Sequence, residues 1–280
     1  MGSERPALSR DGVSSCVPAS MKARYPSSLT DAQWALVRRH LPELVGGRRR
    51  HWSTRLVADA VFYVVRTGCQ WRQLPRDFPP WQTVYYHHRR WDGRGLLHRL
   101  HEALRRAVRV QCGRAPEASA GVMDSQSVRT TQAGGVRGYD GGKGVQGRKR
   151  HLLVDTEGLV LAHEVTGAHI SDQAGARRLL SGLRPLQPRL QLIWADGAYA
   201  GQPLSSWASE QGVRIEIVRP AEGQKGFAVQ PRRWVVERTF GWLGRSRRLA
   251  KDYERRLQSA EAFITLAMIH LMLRRLARAR

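Results

Sequence analysis

The sequence predicts an α/β domain with a mixed sheet, preceded by a small all-helical unit. Three observations carry that reading. Apolar residues repeat at helical spacing through much of residues 25–112. After residues 113–119 the texture changes to short apolar strands. From there onward strands and helices alternate, which favours an α/β architecture. The expected divisions are an unstructured extension over 1–24, a helical unit over 25–112, a linker over 113–119 and the α/β domain over 120–280.

The elements follow in order. Residues 1–22 mix Ser, Pro, Gly and Arg without periodicity, a composition that favours disorder. Met21 stands where the organised sequence begins and is a candidate start. Thr30 is placed to cap a first helix with Trp34, Val37 and Leu41 on one stripe. Pro42 and Gly46-Gly47 close it, and Arg48, Arg49 and Arg50 follow as a basic loop. A second helix is expected over 54–66, with Leu56, Ala60 and Val64 in line and Gly68 as its stop. Pro79-Pro80 announces a third over 81–91. Its apolar stripe is Trp81, Val84, Tyr85, His88 and Trp91; Gln82, His87, Arg89 and Arg90 stand opposite. A fourth covers 96–110. A turn-rich stretch followed by a helix with long polar side chains is the layout of a helical DNA-binding unit, with the third helix as reader. A plain solvated helix has the same pattern, so the helix alone does not decide.

In the second part, residues 120–128 read as a strand, and 151–155 with 159–165 as a hairpin around Thr156-Glu157-Gly158. A helix capped by Ser171 or Asp172 follows over 171–183. A buried strand over 190–194 runs into Ala195-Asp196-Gly197. A short helix (204–210), a strand (214–218) and two helices (232–247 and 259–275) complete the chain.

Charge narrows the function. The net charge is +24, far beyond what solubility requires, and it implies a polyanionic partner. Residues 1–110 carry 20 Lys/Arg against 8 Asp/Glu, and 231–280 carry 13 against 4. The middle, 111–230, is nearly balanced at 14 against 11. Codon bias raises Arg content everywhere and does not explain a near-neutral centre. Carboxylate chemistry flanked by phosphate-gripping elements does. Cys16, Cys69 and Cys112 are odd in number and lack CxxC spacing, which argues against a disulfide framework or zinc site and fits a reducing cytoplasm. The start lacks the apolar core of a signal peptide, and the apolar run over 262–273 is too short to span a bilayer.

Three acids stand out. Asp124 lies inside an otherwise apolar strand, where a carboxylate is costly without a partner or a metal. Asp196 follows a strand core, and strand ends are where α/β sheets build sites. Glu237 sits on a helix at the edge of the stripe Val236, Phe240 and Leu243, and is expected to face the sheet. Arg233 precedes it by one turn; Gly241 follows by one turn and removes a side chain beside it. Taken singly, Asp196 also reads as a turn residue and Glu237 as an ion-pair partner of Arg233 or Arg238. Jointly, hard oxygen ligands of this kind suit Mg²⁺ or Mn²⁺. Two such ions activate a nucleophile and stabilise the leaving oxygen of a phosphodiester.

The blocks Met123-Asp124-Ser125-Gln126-Ser127, Gly142-Lys143, Gly147-Arg148-Lys149-Arg150-His151, Ala195-Asp196-Gly197-Ala198-Tyr199 and Arg233-Trp234-Val235-Val236-Glu237-Arg238-Thr239-Phe240-Gly241-Trp242-Leu243 resemble insertion-sequence transposases of the DDE class, in the insertion sequence five family. Leu29-Thr30-Asp31-Ala32-Gln33-Trp34 and Thr67-Gly68-Cys69-Gln70-Trp71-Arg72-Gln73-Leu74-Pro75 are similar to that family's helical leader. The resemblance covers about residues 22 to 277. It implies a ribonuclease H-like fold, with Asp124, Asp196 and Glu237 as the catalytic acids holding two Mg²⁺ or Mn²⁺ ions and Arg233 beside them. It implies hydrolysis at the ends of an element, attack of the freed 3′ hydroxyl on target DNA, and a DNA-bound homodimer. The family signature Tyr-x2-Arg-x3-Glu-x6-Lys is met only at Arg233 and Glu237. Gln230 stands at its Tyr position and Gly244 at its Lys position, so Arg245 and Lys251 are the substitute phosphate contacts. The resemblance also implies a flexible basic loop between the first two strands, which makes Lys143, Arg148, Lys149 and Arg150 expected DNA contacts. Arg48, Arg49, Arg50 and the third helix would grip the terminal repeat. Trp242, sharing a helix with Glu237, is the one tryptophan expected to meet DNA, since Trp34, Trp81, Trp91 and Trp194 fall on core stripes. A nuclease that cuts without joining, and a non-catalytic DNA-binding relative, remain the alternatives. His163, Glu164 and His169 lack zinc-protease spacing, and no Gly-Lys-Ser/Thr marks a phosphate-binding loop.

Overall fold

The computed structural model describes residues 25–41, 52–219 and 232–278. The expected extension, the Arg48, Arg49 and Arg50 loop, and Gln230 lie outside the described residues. Four helices come first: α1 (Asp31–Val37), α2 (Thr54–Thr67), α3 (Trp81–Gly93) and α4 (Leu96–Gln111). Thr30 caps α1 in a full capping box with Gln33, and Ser53 caps α2 by accepting from the Leu56 N–H. Then come β1 (Ala120–Arg129), β2 (Gly138–Asp140), β3 (Val145–Asp155), β4 (Val160–Gly167), α5 (Asp172–Leu180), β5 (Leu192–Ala195), α6 (Gln202–Glu210), β6 (Arg214–Ile217), α7 (Trp234–Gly244) and α8 (Leu257–Arg278).

The sheet is mixed. β3 pairs antiparallel with β1 on one side and with β2 and β4 on the other; β5 and β6 extend the far side of β1 in parallel. Side chains alternate across it. On β1, Val122 joins the core shared with α7 and α8, while Met123 joins the core under α5 and α6. The first of these cores continues without a break into α1–α4, from Leu29 through Trp91 and Leu104 to Leu273. The N-terminal helices therefore share apolar packing with the C-terminal helix α8, a long-range arrangement that no local pattern reveals. Arg109 of α4 adds a polar tie: its guanidinium donates to buried Asp155 at 2.6 Å, and the other Asp155 oxygen accepts from the Glu157 and Leu159 N–H groups of the β3–β4 turn.

The stretch over 134–150 departs from expectation. It is not one loop. β2 forms within it, and β3 begins at Val145, six residues before the expected strand start. Arg148, Lys149 and Arg150 therefore stand in a central strand, all three buried.

Gly68 illustrates a second long-range dependence. It ends α2 with φ +74°, and a Cβ there would sit 3.0 Å from the Arg247 carbonyl carbon and 3.1 Å from the Arg248 nitrogen. Both obstacles are backbone. Gly68→Ala is expected to lower stability by about 1–3 kcal/mol from the left-handed conformation alone. Gly93→Ala, in open space at the end of α3, is the matched control and is expected to be neutral or slightly stabilising. Equal denaturant midpoints for the two variants would contradict this assignment.

Candidate active site

β1 and β5 set the first two acids side by side. Val122 is in parallel register with Trp194, so Asp124 and Asp196 each stand two residues further along neighbouring strands. Adjacent strands run about 4.8 Å apart. The Asp124 carboxylate accepts from the Ser125 N–H at 2.7 Å, and that of Asp196 from the Ala198 N–H at 2.9 Å. The turn role open to Asp196 is thus real, and it fixes the carboxylate beside Asp124.

Arg233, at the start of α7, links the third acid to the second. Its Nη2 lies 3.5 Å from an Asp196 oxygen and 3.6 Å from a Glu237 oxygen. The ion pair with Glu237, open as an alternative to a site role, forms together with the pair to Asp196. Glu237 is half-exposed, so it faces water more than expected, and Gly241 beside it borders open space. Arg232, with φ +72°, is the one described non-glycine residue in the left-handed region. Its guanidinium lies over the Trp194 ring, 4.3 Å from the centroid. Backbone strain thus turns the chain into α7 right where Arg233 must be aimed.

Burial pushes the Asp124 carboxyl up to about 6; the Asp196 charge adds to the rise, while the Ser125 N–H, Arg233 and Lys143 oppose it. Two carboxylates in this relation favour a cation between them, and their hard oxygens fit Mg²⁺ or Mn²⁺. As placed, no three His, Cys, Asp or Glu side chains among the described residues already form a closed metal cluster. Arg233 occupies the space between Asp196 and Glu237.

The expected DNA contacts divide into several groups. Lys143 is on the turn after β2, and its ammonium donates to the Ser125 carbonyl at 3.0 Å, at the edge of the acid site. Lys149 is buried between Asp140 (3.3 Å) and Asp172 (3.1 Å), behind β1. Arg148 pairs with buried Asp252 at 2.9 Å, and Arg150 donates to the Leu249 and Lys251 carbonyls. The flexible basic loop is thus corrected for these three: they are internal ties, because each finds oxygen partners inside the fold that outweigh exposure. Trp242 is half-buried. The Arg238 and Arg275 guanidinium groups each lie over its ring at 4.5 Å, and it packs against Gly158. Its ring is already covered. On α3, Gln82 is exposed, Arg90 lies over the exposed Tyr86 ring, His87 packs near Tyr86 and Trp91, and Arg89 reaches Ser259 of α8. Arg245 and Lys251 are exposed.

Sequence reasoning missed the polar layer behind Asp124. Ser125 donates to Asp172 at 2.7 Å and Ser127 to Asp140 at 2.5 Å, and the buried Tyr199 hydroxyl has its pKa raised by burial and by the charges of Asp124, Asp172 and Asp196. The Tyr199 signal was present in the Ala195-Asp196-Gly197-Ala198-Tyr199 block. Asp140 and Asp172 gave no local sign. The His163 ring is half-buried and its Nε2 is hydrogen-bonded with the Thr265 hydroxyl at 2.9 Å, in keeping with a structural role rather than zinc binding.

The family described as "Transposase DDE domain" matches residues 115–272, and that described as "Putative transposase of IS4/5 family" matches residues 29–101. The chain is 29% identical over 127 residues to the "Putative transposase for insertion sequence element IS402" of Burkholderia cepacia, an alignment covering 43% of this chain and 60% of that protein. It is 30% identical over 117 residues to "Uncharacterized protein y4sN" of Sinorhizobium fredii, covering 41% of this chain and 87% of the relative. Over more than half its length, in the region that carries Asp124, Asp196 and Glu237, this chain matches one family, and it belongs to the DDE-domain transposases of insertion sequences.

Proposed function

We propose that this chain cuts the ends of an insertion sequence and joins the 3′ ends to target DNA, using Asp124, Asp196 and Glu237 to hold two Mg²⁺ or Mn²⁺ ions. The observation that carries the reading is the Arg233 bridge between Asp196 and Glu237, with Asp124 in register on the adjacent strand. A ribonuclease H-like fold is supported by the strand arrangement, an antiparallel β4-β3-β1 run continued by parallel β5 and β6. The ions, when bound, supply Lewis-acid activation of the attacking oxygen and charge stabilisation of the leaving one.

The chain's own groups do the positioning. Arg233 keeps Asp196 and Glu237 turned toward each other and offers a cation to the non-bridging oxygens of a phosphate. The Ser125 and Ala198 N–H groups hold the aspartates in fixed rotamers. Lys143 fixes the Ser125 carbonyl at the edge of the acid site. Duplex DNA would contact exposed Gln82 and half-buried Arg90 of α3, with His87 and Arg89 at its margin, and exposed Arg245 and Lys251 near α7. A DNA-bound homodimer is part of this reading, as is a helical DNA-binding unit before a catalytic domain.

A strand-transfer assay tests it. The full chain, a precut element end, a target plasmid and Mg²⁺ are expected to give joined product. Cleavage of an uncut end with no joined product would replace the transposase reading by that of a nuclease.

A further inference from the structure

A cavity of about 230 Å³ lies between α2, α7 and α8. Five arginines line it: Arg66, Arg245, Arg274, Arg275 and Arg278. No carboxylate lines it, and none of the five is ion-paired to an acid among the described residues. Elsewhere the fold pairs its inward cations carefully, as Arg148 with Asp252 and Arg109 with Asp155. Arg66 donates to the Arg245 carbonyl at 2.6 Å, and Arg275 donates to the Glu157 carbonyl and lies over the Trp242 ring, but neutral partners leave the net positive charge of the cleft in place, and a bound anion would balance it. His270, at the cleft floor, has its pKa lowered to about 4 by burial and by Arg274 and Arg66, so it adds a neutral ring and no further charge.

The cleft is in line with the acid site. Glu237 and Gly241 on α7 and Arg245 at its C-cap follow at four-residue intervals, all exposed. Gly241 and Gly244 leave the surface between them bare, since a Cβ at either would meet nothing within 4 Å. Eight residues of helix rise about 12 Å, the axial length of three to four base pairs. We propose that this arginine cleft is a docking site for the phosphodiester backbone of duplex DNA, gripping it a few base pairs from the bond that Asp124, Asp196 and Glu237 act on. The inference rests on the functional reading above and adds Arg66, Arg274, Arg275 and Arg278 to the DNA-binding surface. Guanidinium groups suit this ligand because they bind phosphate oxygens in pairs.

The test uses the full chain and a labelled mixed-sequence duplex three helical turns long, because backbone recognition is independent of sequence. Anisotropy titrations at several salt concentrations give the slope of log affinity against log salt. Replacing the exposed pair Arg274 and Arg278 by Gln is expected to lower the magnitude of that slope by about 2, close to 0.9 for each phosphate that is no longer neutralised. Affinity is expected to fall at least about tenfold at low salt, with the melting temperature unchanged. Replacing the same pair by Lys keeps the charge and is expected to restore most of the slope. An unchanged slope in the Gln variant overturns the proposal. So does a Lys variant no better than Gln. Asp124→Asn separates this from the catalytic reading: it is expected to keep the wild-type slope while losing cleavage. If it cuts like wild type the acid site fails and the cleft is still judged on its own slope.

Discussion

Asp124→Asn is expected to abolish strand cleavage and, in the absence of divalent metal at pH 8, to make the protein more stable. The two effects have one cause. Asp124 sits in a strand core beside Asp196, and burial first, then that neighbouring charge, pushes its carboxyl from 3.8 to about 6. Ionised Asp124 is therefore a net cost to the metal-free fold. The sign follows from linkage: the cost is absent below the unfolded pKa near 4, grows as pH rises toward 6, and is complete above it. Carrying that charge in the metal-free fold costs about 1–3 kcal/mol, so a gain of that size is expected for the Asn variant at pH 8, vanishing below pH 4. Asn keeps the acceptor for the Ser125 N–H, so the local backbone bond survives. Magnesium should reverse the order: it stabilises the wild type by binding the folded state and does little for the variant. Cleavage should fall by more than the roughly 10–100-fold typical of residues one shell out from a metal. Chemical denaturation at pH 8 with and without Mg²⁺ reads both effects. A variant less stable than wild type without metal, or equal stabilisation of both by Mg²⁺, would remove Asp124 from the metal site.

The acids themselves were legible because their oddity is local. A carboxylate in an apolar strand, one after a strand end and one on a helix edge each break the pattern around them. The caps at Thr30, Gly68 and Ser171 were legible for the same reason: each acts on groups within a few residues. What stayed hidden was everything settled by distant chain. The run Arg148-Lys149-Arg150 reads as a solvated basic segment, because three adjacent charges seldom enter a core. Its burial is decided by oxygens at Asp140, Asp172, Leu249, Lys251 and Asp252, and no window around residue 149 contains them all. Likewise α8 has its apolar residues in plain view, and only the fold reveals that they pack against both the sheet and the N-terminal helices.

Arg148→Met should therefore act on folding, with a loss of about 3–5 kcal/mol, the range for breaking one side of a buried ion pair. Arg148 is fully buried and donates to the Val136 carbonyl at 2.8 Å, to Asp252 at 2.9 Å, and to the Glu254 and Arg255 carbonyls at 2.7 and 3.0 Å. Asp252 is buried too, and its backbone pairs with Arg129 and Thr131 at the end of β1. The guanidinium is thus the fastening between β1, its neighbour β3 and the segment that leads into α8. Met fills the volume and abandons one carboxylate and three carbonyls without water to replace the donor. Lys should rescue only part, since one ammonium has three donors and cannot span the same fork of acceptors. Arg148→Met combined with Asp252→Asn should lose less than the two single changes added together, because the stranded charge is gone. A surface arginine on a phosphate behaves in the opposite way: its removal leaves the denaturation midpoint in place and lowers the salt slope of DNA binding by about 1. Should Arg148→Met melt with the wild type and bind DNA with a flatter salt dependence, the buried tie described here is wrong and the strand is a DNA-facing surface after all.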